Sequence, residues 1–446
     1  MTSMRKNPSP EAPEVEKTTI RQISIRLLPV LLLGYLVAYI DRSNVGFAAI
    51  HMNDDIGLSS SQFGFGASVF FLAYVALEVP SNIALNRYGA RVWLARIMIT
   101  WGLVAIGMAF VAGPTSFTVM RVLLGAAEAG FFPGVILYLT FWYPPAHRGR
   151  VIALFSMAIP LASVLGSPLS GYLLRLQGLL GLHGWQWLFI IEGIPAAVLG
   201  VVALFVLPSH PNNARWLSVE QRAWLENELR AQEPTSEVRH VPMRKTLLNK
   251  RVLRLSLVYA STAAISQALS VWQPQMVKGF GLSDTQVGWL NAIPFAIATI
   301  LMLLWGRASD RGSGRVRFTV IPIALSAVAL AFVPLAYALP GFLLVLSAVL
   351  VGTYAAKGPF WSLSTQWLSR REAVAGVAMI NSLGSLAAFG GNWLVGGIKD
   401  RTGSFTLALM PLMALAAVSV LALTVAARAE RRSDIGAAPA QQELGV

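Results

Sequence analysis

The stretch Arg26–Phe47, RLLPVLLLGYLVAYIDRSNVGF, decides the fold. From Leu27 it is an apolar run of the length a helix of about 20 residues needs to cross a bilayer. Near the far end of that run stand two charges, Asp41 and Arg42. Charge inside hydrocarbon is costly, and where it occurs it marks an ion or substrate path. A later apolar run repeats the feature in RVLLGAAE, with Arg121 and Glu128.

Working outward, the same reading gives twelve spans at 27–47, 62–86, 91–111, 116–140, 150–174, 187–207, 252–277, 285–306, 316–337, 341–364, 373–397 and 405–427. The 446 residues are 55% apolar and 13% charged with mean hydropathy +0.60, more apolar surface than a soluble core hides. The expected fold is an all-α membrane protein of twelve helices in two six-helix bundles, 27–207 and 252–427. A tail at 1–26, a central loop at 208–251 and a tail at 428–446 complete it. The polar start, MTSMRKNPSPEAPEVEKTT, precedes a run of spanning length without a small-residue cleavage site, so no removed signal peptide is expected.

Net charge +14 raises the question of nucleic acid, and the placement of the basic residues answers it. Only Arg175, Lys278, Lys399 and Arg401 fall on segments that are external when both termini are cytoplasmic; Arg42, Arg121 and Lys357 fall within spans. The remaining Lys and Arg set topology and meet anionic lipid, so no nucleic-acid partner is expected. With no cysteine there is no disulfide, thiolate metal site or thiol nucleophile. The five His show no metal-ligand spacing, and no Walker loop, zinc pattern or nucleophile elbow occurs. Neither an enzyme, a metal nor a cofactor is expected.

The central loop carries SVEQRAWLENELRAQ, where Ser218 and Gln221 form a helix start signal. It reads as an amphipathic helix on the cytoplasmic surface or as a solvated linker helix. Two echoes link the halves: NRYGARVW after span two with GRASDRGSGRVRF after span eight, and HRGRVIALFSMAIPLASVLGSPLSGYLL with SRREAVAGVAMINSLGSLAAFGGNWLVGGI. Repeated halves with a site between them are a transporter architecture. Pro160, Pro168, Pro294 and Pro359 are places where the backbone ladder can break near a cavity, or ordinary kinks.

GRASDRGSGR, with Gly306, Asp310, Arg311, Gly314 and Arg315, resembles the cytoplasmic-loop signature of the major facilitator superfamily, although Asn86 stands in the first-half copy where Asp is common. Within that superfamily YIDRSNVGFAA, FFLAYVALEVPSN, RVLLGAAEAGFFPG and KGPFWSL resemble the anion:cation symporters, a family of sugar-acid, tartrate and aromatic-acid permeases and vesicular glutamate transporters. LHGWQWLFIIEGIPA and LEVPSN look most like the bacterial tartrate-type and hydroxyphenylacetate-type branch. The resemblance implies proton-coupled import of a carboxylate across a bacterial inner membrane. It assigns Arg42 to the substrate carboxylate, Asp41 and Glu128 to protons, Arg121 to linking them and Tyr74 to the substrate site.

The residues support that chemistry on their own terms. Positions seven apart share a helix face about 10.5 Å apart in depth, so Arg121 and Glu128 can line one path. Protonating a carboxylate leaves an arginine to be satisfied by an incoming carboxylate, which couples proton to anion. A static interhelical ion network is the alternative. Lys357 in span ten is a ligand for a second acidic or hydroxyl group, or a structural amine. Gln267, Gln273 and Gln275 are offered by span seven; Trp272, Phe360 and Trp361 can stack on a ring; Asn381, Ser382 and Asn392 can bond hydroxyls. Glu78 and Glu192 read as structural. The partners expected are a small organic anion, protons and the bilayer, with a monomeric chain; a drug or cation exporter or an anion exchanger on the same fold is the alternative.

Overall fold

The computed structural model describes residues 12–231, 249–312, 314–368 and 370–442. Residues 1–11, 232–248 and 443–446 of the expected tails and central loop, and Ser313 of the second basic loop, lie outside the described residues.

Every regular element among the described residues is helical, as a chain in hydrocarbon must satisfy its backbone internally. In order they are α1 (Ala12–Asp55), α2 (Ser60–Tyr88), α3 (Ala90–Gly107), α4 (Pro114–Glu128), α5 (Phe131–Thr140), α6 (Pro145–Leu173), α7 (Gly184–Val206), α8 (Val219–Ala231), α9 (Lys250–Lys278), α10 (Asp284–Arg311), α11 (Arg315–Phe332), α12 (Leu339–Trp367), α13 (Arg370–Thr402) and α14 (Phe405–Gln442). Eleven segments among the described residues are long and apolar enough to cross a bilayer, α4 and α5 counting as one. Helix α13, 33 residues long, runs over the stretch expected as span eleven and is not among these eleven.

Two expectations change. Span four, read as one helix over 116–140, breaks directly after Glu128: Ala129 is extended and Gly130 takes φ 84°. Pro133 has no N–H to offer the Ala129 carbonyl, and a Cβ on Gly130 would run into Ser81 of α2. Pro160, Pro168, Pro294 and Pro359 lie inside continuous helices, which fits the second of their two readings, ordinary kinks. The expected tail is helical from Ala12, and α1 runs through position 26 without interruption. There Ser24 shares a hydrogen bond with the Tyr143 hydroxyl at 2.9 Å, and Glu16 meets His147 at 2.9 Å. Helix α8 begins with the capping box expected of Ser218 and Gln221, at 3.0 and 3.1 Å, and packs its buried Leu225 toward α1.

Helices of the first half pack on one another (α3 on α7, α2 on α4, α1 on α6 and α7), as do those of the second (α9 on α13, α11 on α12, α10 on α12). The main pairings between halves are α2 with α13, α10 with α6, and α1 with α9. A repeat unread from the sequence organises this seam. GLSSSQFG (57–64) and GLSDTQVG (281–288) each place a left-handed glycine, φ 69° at Gly57 and 76° at Gly281, before a Ser/Gln capping box that starts α2 or α10. The glycine closing each copy then lets α2 or α10 touch the opposite half: Gly64 lies on the Asn392 carbonyl and Gly288 on the Ser167 carbonyl. Reciprocally, Gly396 lies on Ser60 and Gly171 on Asp284. Asp400 accepts from the backbone N–H groups of Ser60 and Ser61 at 2.8 and 2.7 Å, and Asn291 donates to Ser167 at 2.8 Å. His51 and Lys278 converge on Asp284 at 3.0 and 2.8 Å. All these contacts lie at the helix ends away from the Arg-rich loops.

Candidate functional site

Helix α1 presents Asp41 and Arg42 in different directions, as consecutive helical residues must. Asp41 turns toward α3, where Oδ2 accepts from Trp101 Nε1 at 2.6 Å. Its other oxygen has no protein partner, and the residue is buried. Arg42 turns toward α4 and grips one carboxylate oxygen of Glu128 twice, with Nε at 2.9 Å and Nη2 at 2.5 Å. Glu128 is 1% exposed while the Arg42 side chain keeps 14%, so the pair is open only from the arginine's side.

That open side is a collar of rings. The Arg42 guanidinium carbon lies 4.9 Å from the Tyr39 ring centre, 5.2 Å from Phe70 and 5.0 Å from Tyr74. Phe70 also carries Arg121, whose guanidinium carbon sits 5.2 Å from the same ring. Arg121 does not bridge the carboxylates by hydrogen bonds: its Nη2 donates to the Ala67 carbonyl at 2.6 Å, and its Nε is without a partner. The break after Glu128 ends α4 at the carboxylate, so the ion pair sits where backbone continuity is already lost.

The second half supplies a matching aromatic wall. Tyr259 stands on α9 and Tyr354 on α12. Tyr259 stacks on Phe360 at 5.5 Å and meets Trp361 at 5.1 Å. Lys357 lies 4.3 Å from the Tyr354 ring and, among the described residues, is in no ion pair. The structure thus groups Glu128, Arg42 and Tyr74 in one ring-lined cluster of the first half, with a paired cation, and Lys357, Tyr354, Tyr259 and Trp361 in another on α9 and α12, with an unpaired one among the described residues.

Other candidates stand elsewhere. Trp272 is fully buried in the inter-half seam, edge-on to Phe63 at 5.1 Å and beside Phe405 at 5.8 Å. Gln273 is fully buried and donates to the Asn291 carbonyl at 3.3 Å. Asn392, equally buried, leaves both amide atoms without partners. Asn381 is exposed on α13, and Gln267 and Ser382 are half-buried. Glu192 on α7 accepts from Ser170 at 2.7 Å with Asn44 beside it. Tyr39, Phe70, Trp101, Tyr259 and Tyr354 were not anticipated. Tyr39 precedes Arg42, and Tyr354 precedes Lys357, by one helical turn, a spacing that could have found both.

The family model described as Major Facilitator Superfamily matches residues 31–391. A protein of Agrobacterium vitis named "Putative tartrate transporter" is 46% identical over 94% of this chain and 94% of its own. The "Quinolone resistance transporter" of Acinetobacter baumannii is 40% identical over 89% of this chain and 92% of its own. Among solved structures, an inward-facing, occupied bacterial homologue of the human lysosomal transporter Spinster superposes with TM-score 0.74 at 18% identity, covering 90% of this chain and 96% of that one.

Proposed function

The chain belongs to the Major Facilitator Superfamily, and from that premise we propose that it imports a small organic anion with protons across a bacterial inner membrane. Twelve spans form two six-helix bundles, 27–207 and 252–427, with both termini cytoplasmic. The bundles rock about the site between them. The GLSxxQxG seam closes the external side, leaving the ring-lined site to the cytoplasm. The observation that carries this reading is the Arg42–Glu128 pair, buried on its acidic side and open on its basic side.

Glu128 and an anion compete for one guanidinium. With Glu128 ionised, Arg42 is already compensated and an incoming carboxylate finds no free cation. A proton on Glu128 releases Arg42, whose planar fork then takes the substrate carboxylate in two hydrogen bonds. Asp41, held by the Trp101 N–H, accepts the second proton, and Arg121 biases both carboxylates through space. Tyr74, Tyr39 and Trp361 pack the body of the substrate. Lys357 receives a second acidic or hydroxyl group, which favours a hydroxy-diacid, sugar acid or substituted aromatic acid over a simple monoacid. The Agrobacterium relative's name supports the carboxylate class.

The Acinetobacter relative's name favours a second reading, export on the same fold. Proteoliposomes with an imposed pH gradient decide between them: acid outside drives uptake of tartrate, a sugar acid or an aromatic acid in an importer, and Arg42→Ala abolishes both uptake and binding. Substrate leaving against an inward proton flow, or full uptake by Arg42→Ala, overturns the proposal.

A further inference from the structure

A second polar site lies on the rim of the first half, apart from the ring-lined one. An open cavity of about 580 Å³ is bounded by Arg26 of α1, Arg91 in the first turn of α3, Phe205 and Val206 at the end of α7, and Arg215 and Trp216 of the following loop. No carboxylate lines it. Among the described residues, none of its three arginines is in an ion pair. Arginine stays charged at every physiological pH, and its fork matches phosphate oxygens.

The cavity is framed, not a loose loop. Trp216 stacks on Trp142 at 5.7 Å and holds the Arg26 guanidinium carbon 5.2 Å from its ring centre. The Tyr138 hydroxyl donates to the Pro208 carbonyl at 2.7 Å, and Pro211, Ala214 and Leu217 are buried beneath. From its mouth an apolar stripe runs along α7: Ile194, Val198, Val201 and Phe205 repeat at helical spacing and are 45%, 53%, 47% and 81% exposed. A basic pocket beside spanning helices at the cytoplasmic surface, continuous with an apolar stripe, has two parts that one molecule fits.

The geometry points to an anionic phospholipid of the inner leaflet, its phosphate among Arg26, Arg91 and Arg215 and an acyl chain along the Ile194–Phe205 face. A free phosphate has the same head chemistry but no use for the stripe. Such a lipid would tie α1, which carries Asp41 and Arg42, to α3, which carries Trp101, and to α7.

Native mass spectrometry of the purified full chain tests this with phosphatidylglycerol and phosphatidylcholine of identical acyl chains. The expected result is retained phosphatidylglycerol adducts on the wild type and a loss of at least about tenfold in Arg26→Gln/Arg91→Gln/Arg215→Gln. A matched control, Arg307→Gln/Arg311→Gln/Arg315→Gln, removes three charges from the other half and is expected to keep them. Arg91→Gln alone serves if the triple variant does not fold, with a partial loss expected. Equal loss in both triple variants makes the effect general surface charge, undiminished retention by the Arg26/Arg91/Arg215 variant removes the arginines from it, and equal retention of phosphatidylcholine makes it charge-independent acyl adhesion; each overturns the site. Displacement of the lipid by millimolar inorganic phosphate makes it a free-anion site and overturns the lipid. None of these readouts depends on transport.

Discussion

Replacing Glu128 with Gln isolates the step on which coupling rests. The amide keeps the shape and an acceptor oxygen for Arg42 but removes the charge, fixing the site in its protonated form. Arg42 now holds Glu128 at 2.9 and 2.5 Å. With charge centres about 4 Å apart and an effective dielectric constant near 20, the attraction is about 4 kcal/mol. Water reaching the 14% of Arg42 that is exposed reduces it, and a neutral hydrogen bond of about 1 kcal/mol survives in the variant. The difference that an anion no longer has to overcome is therefore about 1–3 kcal/mol, or roughly 5- to 150-fold in affinity. Titrating the anion against purified protein at pH 5.5 and 7.5 reads it directly. The wild type binds more tightly at the lower pH; Glu128→Gln binds tightly at both, exchanges labelled for unlabelled substrate across a liposome membrane, and fails to accumulate it when acid is applied outside. Binding in Glu128→Gln that still tightens on acidification as steeply as in the wild type, or undiminished acid-driven accumulation, refutes the competition between carboxylate and substrate.

Lys357→Gln is expected to weaken binding of diacids by about tenfold or more while sparing monoacids, read by competition against one labelled substrate. Gly46→Val places a side chain against the Val271 carbonyl at the α1–α9 crossing, an overpacking cost of about 1–3 kcal/mol borne only by the closed seam. Spin labels on cysteines introduced at positions 54 and 401, in a chain that has none of its own, are expected to move apart. Asp400→Asn loosens the same seam by weakening the cap on α2. Burial raises the Asp400 pKa, but the Ser61 and Ser60 backbone N–H groups with neighbouring serines outweigh it and hold the carboxylate below its usual value. A depressed acid contributes above its ordinary pKa, and the contribution is lost only as pH falls through the lowered one. The label distance in the wild type is therefore expected to stay constant from pH 8 to 5, with substantial opening in that window counting against the cap.

Charge was the most legible part of this site, because an ionic group in an apolar run has few bland explanations. Asp41, Arg42, Arg121 and Glu128 stand out directly in the sequence. The pairing among them was not legible: Arg121 and Glu128 share a helix, yet Glu128 is taken by Arg42 from α1. Two turns of one helix hold Arg121 and Glu128 about 10.5 Å apart, whereas the packing of the first-half helices brings Arg42 of α1 onto the Glu128 carboxylate. The rings were harder still, since Tyr39, Phe70 and Tyr354 look like ordinary packing until tertiary structure sets them against cations.

The seam shows why a repeat can hide in plain view. GLSSSQFG and GLSDTQVG share Gly, Leu, Ser, Gln and the closing Gly at fixed spacing. The first glycine makes the left-handed turn, the serine caps the helix, the glutamine caps back, and the last glycine permits close approach. Hydropathy is blind to all of this, because a glycine and a serine at a helix start change an apolar average little. The two copies meet Gly396 and Gly171, so one contact geometry is used twice about a pseudo-axis between the halves. The same seam carries rings as well as small residues, with Phe63 edge-on to Trp272 at 5.1 Å and Phe65 meeting Trp393 at 5.6 Å, so the proposed rocking has to part these ring contacts together with the two glycine contacts. The charged cluster stands apart from both contacts, on α1 and α4 of the first half, so a change at the seam reaches it through α1, which carries Arg42 and also packs on α9.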